Sequence, residues 1–545
     1  MSTSQQKHRF GLTWGEWFIL AVLGVIFAVQ LFIAWNFTAD DAFISFRYAQ
    51  HFADGNGLVW NVGDANHVEG FTNFLWTMLM VVPHYLHLNV VFFSKCLGLL
   101  FFLLCAGILY FYTRGKTGNS LIALLSLSFF LILPSSYFHA VSGMETMFFA
   151  FLLLLIFISG YEALTCESSL RAGYFYSTPL LVLAAGMTRP EGLLPGLFVL
   201  ALIYFTIDEQ SRRRFLIATS LLLVLPGLIY FVARYSYYGW FFPNSFYVKF
   251  GGLVNGLEWI LGAAGSLVGC LIIILLASPR KNQIRQRRIG TKLYFLLFLF
   301  FSVIVYPISD LMMNFMGRFL YHLIPVIIFT VAFSLDNLRE IFLRGLYADH
   351  RRATVVTVLL GLLCILPLVH SDKREVAHMA LYTPHLKYSH IALAKVLADS
   401  DVPSDKRTLA VGDAGAIPYY SRWTAYDLVG LNDETIAHHR EHATDYIRRA
   451  NPTVLILYSY DGVTPRSDHY GLIADSILAD FQQAAFIKMF PNYFIGVFVN
   501  RSLASDVQDR LIAQIREVAA VADRKNRAVD NRMGLLEYLA GRLGR

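Results

Sequence analysis

The sequence predicts a polytopic α-helical membrane protein of about eleven spans, followed by a C-terminal soluble α/β domain. Three observations predict it. The chain is 56% hydrophobic and only 15% charged, with a mean hydropathy of +0.51, whereas a soluble chain is about a quarter charged. Separate apolar runs of about 17–23 residues recur, each enough to cross roughly 30 Å of hydrocarbon as helix. Those runs stop near His370, and the remaining residues alternate short apolar strands with helical stretches.

The first apolar run, 17–35, follows Lys7 and Arg9. It is too long for the apolar core of a signal peptide, and no A-x-A cleavage site follows, so it reads as an uncleaved span over 16–36. Directly after it comes Thr38-Ala39-Asp40-Asp41-Ala42-Phe43. Ionised groups are far cheaper near the interface than at the bilayer centre. The acid pair therefore either marks the water boundary or forms a site. Within the loop 37–88, the stretch 71–88 continues apolar but is interrupted by Pro83, His84 and His87, and reads as a juxtamembrane helix. Further spans are placed at 89–112, 120–137, 144–164, 173–188, 191–207, 213–233, 257–277, 292–309, 318–336 and 353–370.

The basic loops support this count. If 71–88 does not cross, then Lys7/Arg9, Arg114/Lys116, Arg171, Arg212 to Arg214, Arg280 to Arg288 and Arg339 to Arg352 all fall on one side. The positive-inside rule makes that side, and the N-terminus, cytoplasmic. The net charge of +7 is thus a topology signal, not a nucleic-acid one. The five cysteines (Cys96, Cys105, Cys166, Cys270 and Cys364) form no CxxC or metal-ligand pattern. The tail 371–545 reads as a separate extracytoplasmic α/β domain. Strands are expected at 409–412 and 454–457, a hairpin over 486–499, and helices near 385–399, 434–450, 469–483 and 503–524. Gly412-Asp413-Ala414-Gly415 lacks the full G-x-G-x-x-G spacing of a dinucleotide site.

The unusual residues collect on the far side: Asp40-Asp41, Glu69, Glu145, Arg189 with Glu191, Asn244 through Tyr247 to Lys249, Arg318, and the tail. A carboxylate beside an acceptor hydroxyl can act as its base. A departing phosphate needs positive charge where its own charge develops, and arginine's planar fork suits phosphate oxygens. Arg189, Lys249 and Arg318 read as the only cations at far-side span ends among mostly apolar or aromatic neighbours. Together these groups fit a lipid-phosphate sugar donor with its prenyl tail among the spans. Each cation alone fits a snorkelling anchor as well, and Glu145 and Glu191 have Arg189 as an alternative partner. His322 reads as structural.

At these residues the chain resembles a known family. A first span, an acidic pair, a juxtamembrane helix and further spans resemble the GT-C superfamily of glycosyltransferases, polytopic enzymes that use polyprenyl-phosphate-linked sugars outside the cytoplasm. The closer likeness is to bacterial arabinofuranosyltransferase-like members, relatives of the mycobacterial terminal β-arabinofuranosyltransferase. It is carried by Asp40-Asp41-Ala42-Phe43-Ile44-Ser45-Phe46-Arg47, Gly55-Asn56-Gly57-Leu58-Val59-Trp60-Asn61 and Val68-Glu69-Gly70-Phe71-Thr72-Asn73. It continues in Gly143-Met144-Glu145-Thr146, Thr188-Arg189-Pro190-Glu191-Gly192, Pro243-Asn244-Ser245-Phe246-Tyr247-Val248-Lys249 and Gly317-Arg318-Phe319. In the tail it includes Gly412-Asp413-Ala414-Gly415-Ala416-Ile417-Pro418-Tyr419-Tyr420 and Asp427-Leu428-Val429-Gly430-Leu431-Asn432-Asp433.

The resemblance implies an inverting transfer in a bacterial inner membrane, with Asp40 as base. Asp41 would orient the base, bind acceptor or hold a metal. Adjacent residues rarely point the same way, so both are not expected to be bases. Arg189, Lys249 and Arg318 would bind the donor phosphate. Glu69, Glu145, Glu191, Asn244, Tyr247, Asp413, Tyr419 and Asp427 would help bind substrate, the acceptor being a cell-envelope glycan or surface protein. No W-W-D-x-G signature is present, which argues against en bloc glycan transfer. An Asp pair also has the oxygen ligands that Mg²⁺ or Mn²⁺ takes, so a divalent metal stays open. Two rivals remain: a transporter or flippase, which predicts mid-span acids and inverted repeats, and a non-catalytic scaffold.

Overall fold

The computed structural model describes residues 13–64, 67–165, 173–250, 253–277, 290–344 and 349–543. Lys7, Arg9, Cys166, Arg171 and the basic residues from Arg280 to Arg288, on which part of the topology reading rests, lie outside the described residues. The first helix, Trp14–Ala34, starts from a capping box in which Thr13 and Glu16 satisfy one another's backbone N–H groups. It is one of six helices among the described residues that are long and apolar enough to cross a bilayer, with Val90–Thr117, Thr146–Thr165, Glu209–Tyr238, Thr291–Ile308 and His350–Asp399.

Two further spans are bent pairs. Ser120–Ile132 turns by 61° into Pro134–Val141, where Pro134 cannot continue the ladder, and Phe315–Tyr321 turns by 66° into Ile324–Leu343. Tyr174–Thr188, Pro190–Thr206 and Leu253–Leu276 occupy the three remaining expected positions. Phe74–Tyr85 has 12 residues, too few to span, and packs against Ala42–Ala53. Alternating helix directions bring Asp40, Gly143, Arg189, Lys249, Arg318 and the whole C-terminal layer to one end of the bundle. Arg114, Lys116, Arg212 to Arg214, Arg351 and Arg352 lie at the other.

The expected domain boundary at 370 is not a break in the chain. His350–Asp399 is one helix of 50 residues, widened by a single turn at Lys387–Ile391. At about 1.5 Å per residue it is more than twice the hydrocarbon thickness. Its apolar part ends near His370, and the remainder rises from the bundle to carry the C-terminal layer.

That layer holds a sheet of five strands: β1 (Thr408–Val411), β2 (Thr424–Asp427), β3 (Val454–Ser459), β4 (Phe481–Phe490) and β5 (Tyr493–Asn500), in the order β2-β1-β3-β5-β4. β1 runs parallel to β2 and β3, while β5 is antiparallel to β3 and β4. The expected strands at 409–412 and 454–457 and the hairpin are present. β2 is an addition: its Thr-Ala-Tyr-Asp stretch lacks the continuous apolar run that marks β1 and β3. The helix expected at 469–483 is instead Ala474–Leu478, and Phe481 already begins β4. The helix expected at 503–524 runs over Ser505–Leu543.

The small C-terminal sheet domain packs directly on the first loop of the bundle. Its core takes in Ile44, Tyr48, Trp60 and Phe71 from the first loop, packed with Leu393, Val411, Ile417 and Trp423. Buried Arg47 fastens the two parts. Its guanidinium donates to the Trp60 carbonyl at 2.8 Å, the Trp423 carbonyl at 2.8 Å, Asn61 Oδ1 at 3.1 Å, and the Pro418 carbonyl.

Candidate active site

The site forms around the two carboxylates after the first span. Lys95 Nζ donates to the carbonyls of Trp35 and Phe37, each at 2.6 Å. A cation there meets the negative end of the first helix and satisfies its free carbonyls. Thr38 N–H then bonds the Thr383 hydroxyl at 2.7 Å, and Ala39 N–H bonds the Ser142 carbonyl at 2.9 Å. The chain is thus held by two other elements before it reaches Asp40. The Ser142-Gly143 turn needs its glycine: Gly143 has φ +81°, and a Cβ would lie 2.9 Å from that of Ala42.

Asp40 and Asp41 point to different partners. Asp40 is 8% exposed, and its Oδ1 accepts the Ala416 N–H at 2.8 Å. Gly415 passes so close that a Cβ there would lie 2.2 Å from Asp40 Oδ2. Burial pushes the Asp40 carboxyl up to about 7; His390 and the Ala416 N–H pull against this, while Asp413 and Asp41 add to it. A carboxylate poised near neutrality suits a general base. The Asp41 side chain is 25% exposed, and its Oδ2 lies 3.4 Å from Arg318 Nη1.

Behind Asp41 runs a buried network. Glu145 Oε1 is 3.4 Å from Arg318 Nη2 and 3.5 Å from Arg189 Nη1, and its Oε2 accepts from Asn73 Nδ2 at 2.8 Å. Arg189 Nε donates to Glu191 Oε1 at 2.8 Å, and the Tyr306 hydroxyl donates to the same oxygen at 3.2 Å. The turn before Arg318 is left-handed, with φ +49° at Met316 and +63° at Gly317. For a non-glycine residue this costs roughly 1–2 kcal/mol. Hydrogen bonds hold it: Met316 N–H donates to Glu375 Oε2 at 2.5 Å, and the Met316 carbonyl is 3.1 Å from His139 Nε2. Arg189 Nη1 and Arg318 Nε are buried and have no hydrogen-bond acceptor among the described residues, so donor capacity remains at both.

A cavity of about 390 Å³ joins the two halves. Asp40, Asp41, Lys249, His390, Asp413 and Asp427 line it, with a wall of tyrosines including Tyr382, Tyr458 and Tyr493. Burial pushes the Lys249 amine down, against the pull of Asp41 and with the help of Arg318 and Arg189. Asp413 Oδ2 accepts from Tyr493 Oη at 2.6 Å and lies 2.8 Å from His390 Nε2. Asp427 faces the cavity, but its oxygens are committed. Oδ1 accepts the N–H groups of Val429 and Gly430, and Oδ2 those of the Asn432 backbone and amide. Burial nevertheless pushes its carboxyl up to about 6.

The other residues singled out from the sequence lie outside this cavity. Glu69 is paired with Arg234 at 2.7 Å. Asn244 Nδ2 is a strut to the carbonyls of Gly430, Leu431 and Asp433 at 2.6, 3.3 and 3.1 Å. Tyr247 packs on Trp240 and His438, with ring centroids 5.7 and 4.4 Å away. Tyr419 packs against Phe43 and Phe46. Glu145 and Glu191 do pair with Arg189. His322 is buried and lies 3.4 Å from the Tyr306 hydroxyl.

One expectation is corrected. Arg189, Lys249 and Arg318 are not the only cations at this end: Lys95 and Arg234 are buried there too. Both stand inside apolar helical runs, which is the signal that could have found them. Sequence reasoning also missed Tyr382 and His390, eight residues apart on the long helix, and Tyr493 on β5. No group of three or more His, Cys, Asp or Glu side chains suited to hold a metal ion occurs among the described residues.

A bundle of this form, with a small sheet over the end that carries an acidic pair, shares its fold with solved structures. The likeness is to ArnT from Cupriavidus metallidurans. Its crystal structure bound to undecaprenyl phosphate is 15% identical, with a TM-score of 0.55, over 90% of this chain and 99% of that chain. Its apo structure is 14% identical, with a TM-score of 0.55, over 90% and 98%. Residues 379–506 match a family model described as a domain of unknown function, DUF8728. No curated protein matches by sequence.

Proposed function

We propose that the protein is a membrane glycosyltransferase that takes a sugar from a polyprenyl-phosphate donor and passes it to a cell-envelope glycan or surface-protein hydroxyl. One observation carries this reading. A buried carboxylate with a near-neutral pKa, Asp40, opens on the same cavity as Lys249 and Asp41, which leads to Arg318, in a fold resembling a protein solved with undecaprenyl phosphate bound.

Asp40 removes the acceptor hydroxyl proton as the oxygen attacks the anomeric carbon. The bond from that carbon to the phosphate oxygen breaks on the opposite face, so configuration inverts. Lys249, Arg318 and, behind them, Arg189 stabilise the charge of the released polyprenyl phosphate. The 312–317 loop separates two cavities: Met312 and Met313 line the first, Met316 and Gly317 a second of about 280 Å³. Leu133, Leu267, Leu320, Ile324 and Leu368 also line the second, which suits a prenyl chain. Arabinofuranose is the donor sugar that the sequence resemblance names. By the positive-inside rule, the basic residues at the opposite end support a cytoplasmic position for that end and an extracytoplasmic site; in this reading the membrane is a bacterial inner membrane, residues 1–370 are the catalytic unit and 371–545 cover it. The Asp41 carboxylate orients Arg318; a divalent metal beside it is a further arm of the test.

The rival is a lipid or solute transporter. Purified protein in nanodiscs, offered a panel of polyprenyl-phosphate sugars and an acceptor extract with and without EDTA, separates the two. Release of polyprenyl phosphate by wild type, lost in Asp40→Asn by about 100-fold or more, supports the transferase. No release with any donor, from protein that binds no prenyl lipid, favours the transporter.

A further inference from the structure

His390 is a buried charged-group candidate that the proposed reaction does not use. It sits in the widened turn Lys387–Ile391, beyond the apolar part of its helix, and is 1% exposed. Its Nε2 is 2.8 Å from Asp413 Oδ2, an oxygen that also accepts the Tyr493 hydroxyl at 2.6 Å. Its Nδ1 is 3.0 Å from Ser389 Oγ. Ser389 Oγ also lies 2.8 Å from the His385 carbonyl. Nε2 donates its hydrogen to Asp413, and a second hydrogen on Nδ1 finds an acceptor in Ser389 Oγ when that hydroxyl donates to His385.

One loop connects this ring to Asp40. In Gly412-Asp413-Ala414-Gly415-Ala416, Asp413 holds His390 while the Ala416 N–H holds Asp40 Oδ1 at 2.8 Å. Gly415 lies against Asp40 with no room for a Cβ. His390, Asp413 and Asp40 line the same cavity. From these contacts we infer that His390 is a buried imidazolium, positioned by Asp413, and that it is the counter-charge that keeps Asp40 a carboxylate.

The surrounding charges agree with this. Burial opposes protonation of His390, but the Asp413 hydrogen bond and the charges of Asp413 and Asp40 raise it overall. His390 is in turn the largest influence opposing the burial of Asp40. The other titratable groups on this cavity are Asp41, Lys249, Tyr382, Asp427, Tyr458, Tyr460, Tyr470 and Tyr493. From β4 and the helix Ser505–Leu543, Lys488 and Asp530 pair at 2.7 Å beside His385, about one turn before His390, and offset each other. His390 acts through Asp40 and is a positioning residue. The inference extends the proposed use of Asp40 as base, and its test does not need the reaction.

The full chain is placed in nanodiscs with ¹³C,¹⁵N-labelled histidine and aspartate and titrated from pH 5 to 9 by NMR. His390→Gln and Asp40→Asn assign the two resonances. The expected result is a His390 ring that stays protonated at both nitrogens above the ordinary histidine value of about 6.5. The Asp40 carboxyl midpoint moves up by about one unit in His390→Gln. In Asp413→Asn, which keeps the ring, the His390 midpoint falls below its wild-type position. A neutral His390 at pH 7 overturns the inference, as does an Asp40 midpoint unmoved in His390→Gln. Absence of sugar transfer by wild type strikes the proposed function instead and leaves these titrations standing.

Discussion

Asp40 and Asp41 are neighbours in sequence, yet they belong to different halves of the site. Asp41 turns to the bundle, where Arg318, Glu145, Arg189 and Glu191 form a chain of alternating charge. Asp40 turns to the C-terminal layer, where it meets one backbone N–H and a loop without side-chain bulk. The first arrangement keeps arginines charged, oriented and partly unsatisfied, as an anion site requires. The second desolvates a carboxylate by more than the Ala416 N–H and the nearby His390 offset, which makes it basic. The difference teaches that one dipeptide can supply a phosphate-site anchor and a base when the two sides of the chain face unlike surroundings.

The largest expected effect would break the bundle half. Glu145→Gln removes the carboxylate shared by Arg189 and Arg318 and leaves two buried cations adjacent. Loss of one partner in a buried ion network costs about 3–5 kcal/mol, which thermal unfolding in detergent measures as a clear fall in Tm. An unchanged Tm would mean that Glu191 and Asp41 alone satisfy both arginines.

The next effect tests the other half and has the opposite sign. Asp40's folded pKa, about 7, is raised above its ordinary value of 3.8. The folded chain therefore holds this proton over a window in which the unfolded chain has released it. Asp40's contribution to stability is fully present below about pH 4 and is lost as pH rises through about 7. Asp40→Asn, which keeps an acceptor for the Ala416 N–H, is expected to unfold at a higher temperature than wild type at pH 8, with the gap closing towards pH 4. The same titration predicts that wild-type transfer rises through about pH 7, since only the carboxylate accepts a proton. A gap independent of pH would separate the Asp40 charge from stability.

The smallest effect sharpens the boundary of the site. Tyr247 packs on Trp240 and His438 and does not line the Asp40 cavity. Tyr247→Ala is expected to change the KM for donor and acceptor less than twofold, while Asp413→Ala raises it several-fold. Equal effects in a transfer assay would place Tyr247 on a substrate path that the cavity does not reveal.

Much of the fold was legible in sequence. Apolar runs cross a bilayer for reasons of length and hydrophobicity, and Pro83 kept Phe74–Tyr85 short. The acidic pair, Lys249 and Arg318 stood out because ionisable groups at span ends are rare, and Asp413 through the family resemblance. Glu69 and Asn244 stood out within far-side segments that carry the resemblance, and in the structure they are a partner for Arg234 and a strut for the 430–433 turn. Charge marks a residue as constrained without saying by what. His390 could not be read at all, because its meaning lies in Ser389 beside it, in Asp413 from the loop after β1, and in Tyr493 of β5, whose hydroxyl donates to the same Asp413 oxygen.

The sequence by itself determined that the chain is a bundle of apolar helices, the end at which the charged residues gather, and most of the strands of the C-terminal layer. These follow from local periodicity and from the cost of burying polar groups in lipid, which each segment meets alone. Only the tertiary structure decided that Asp40 faces the Gly412–Ala416 loop, that Asp41 faces Arg318, and that His390 stands beside the base. Those pairings join residues some 280 to 380 positions apart. Their energies depend on desolvation and distance, quantities that exist only once the chain has closed on itself.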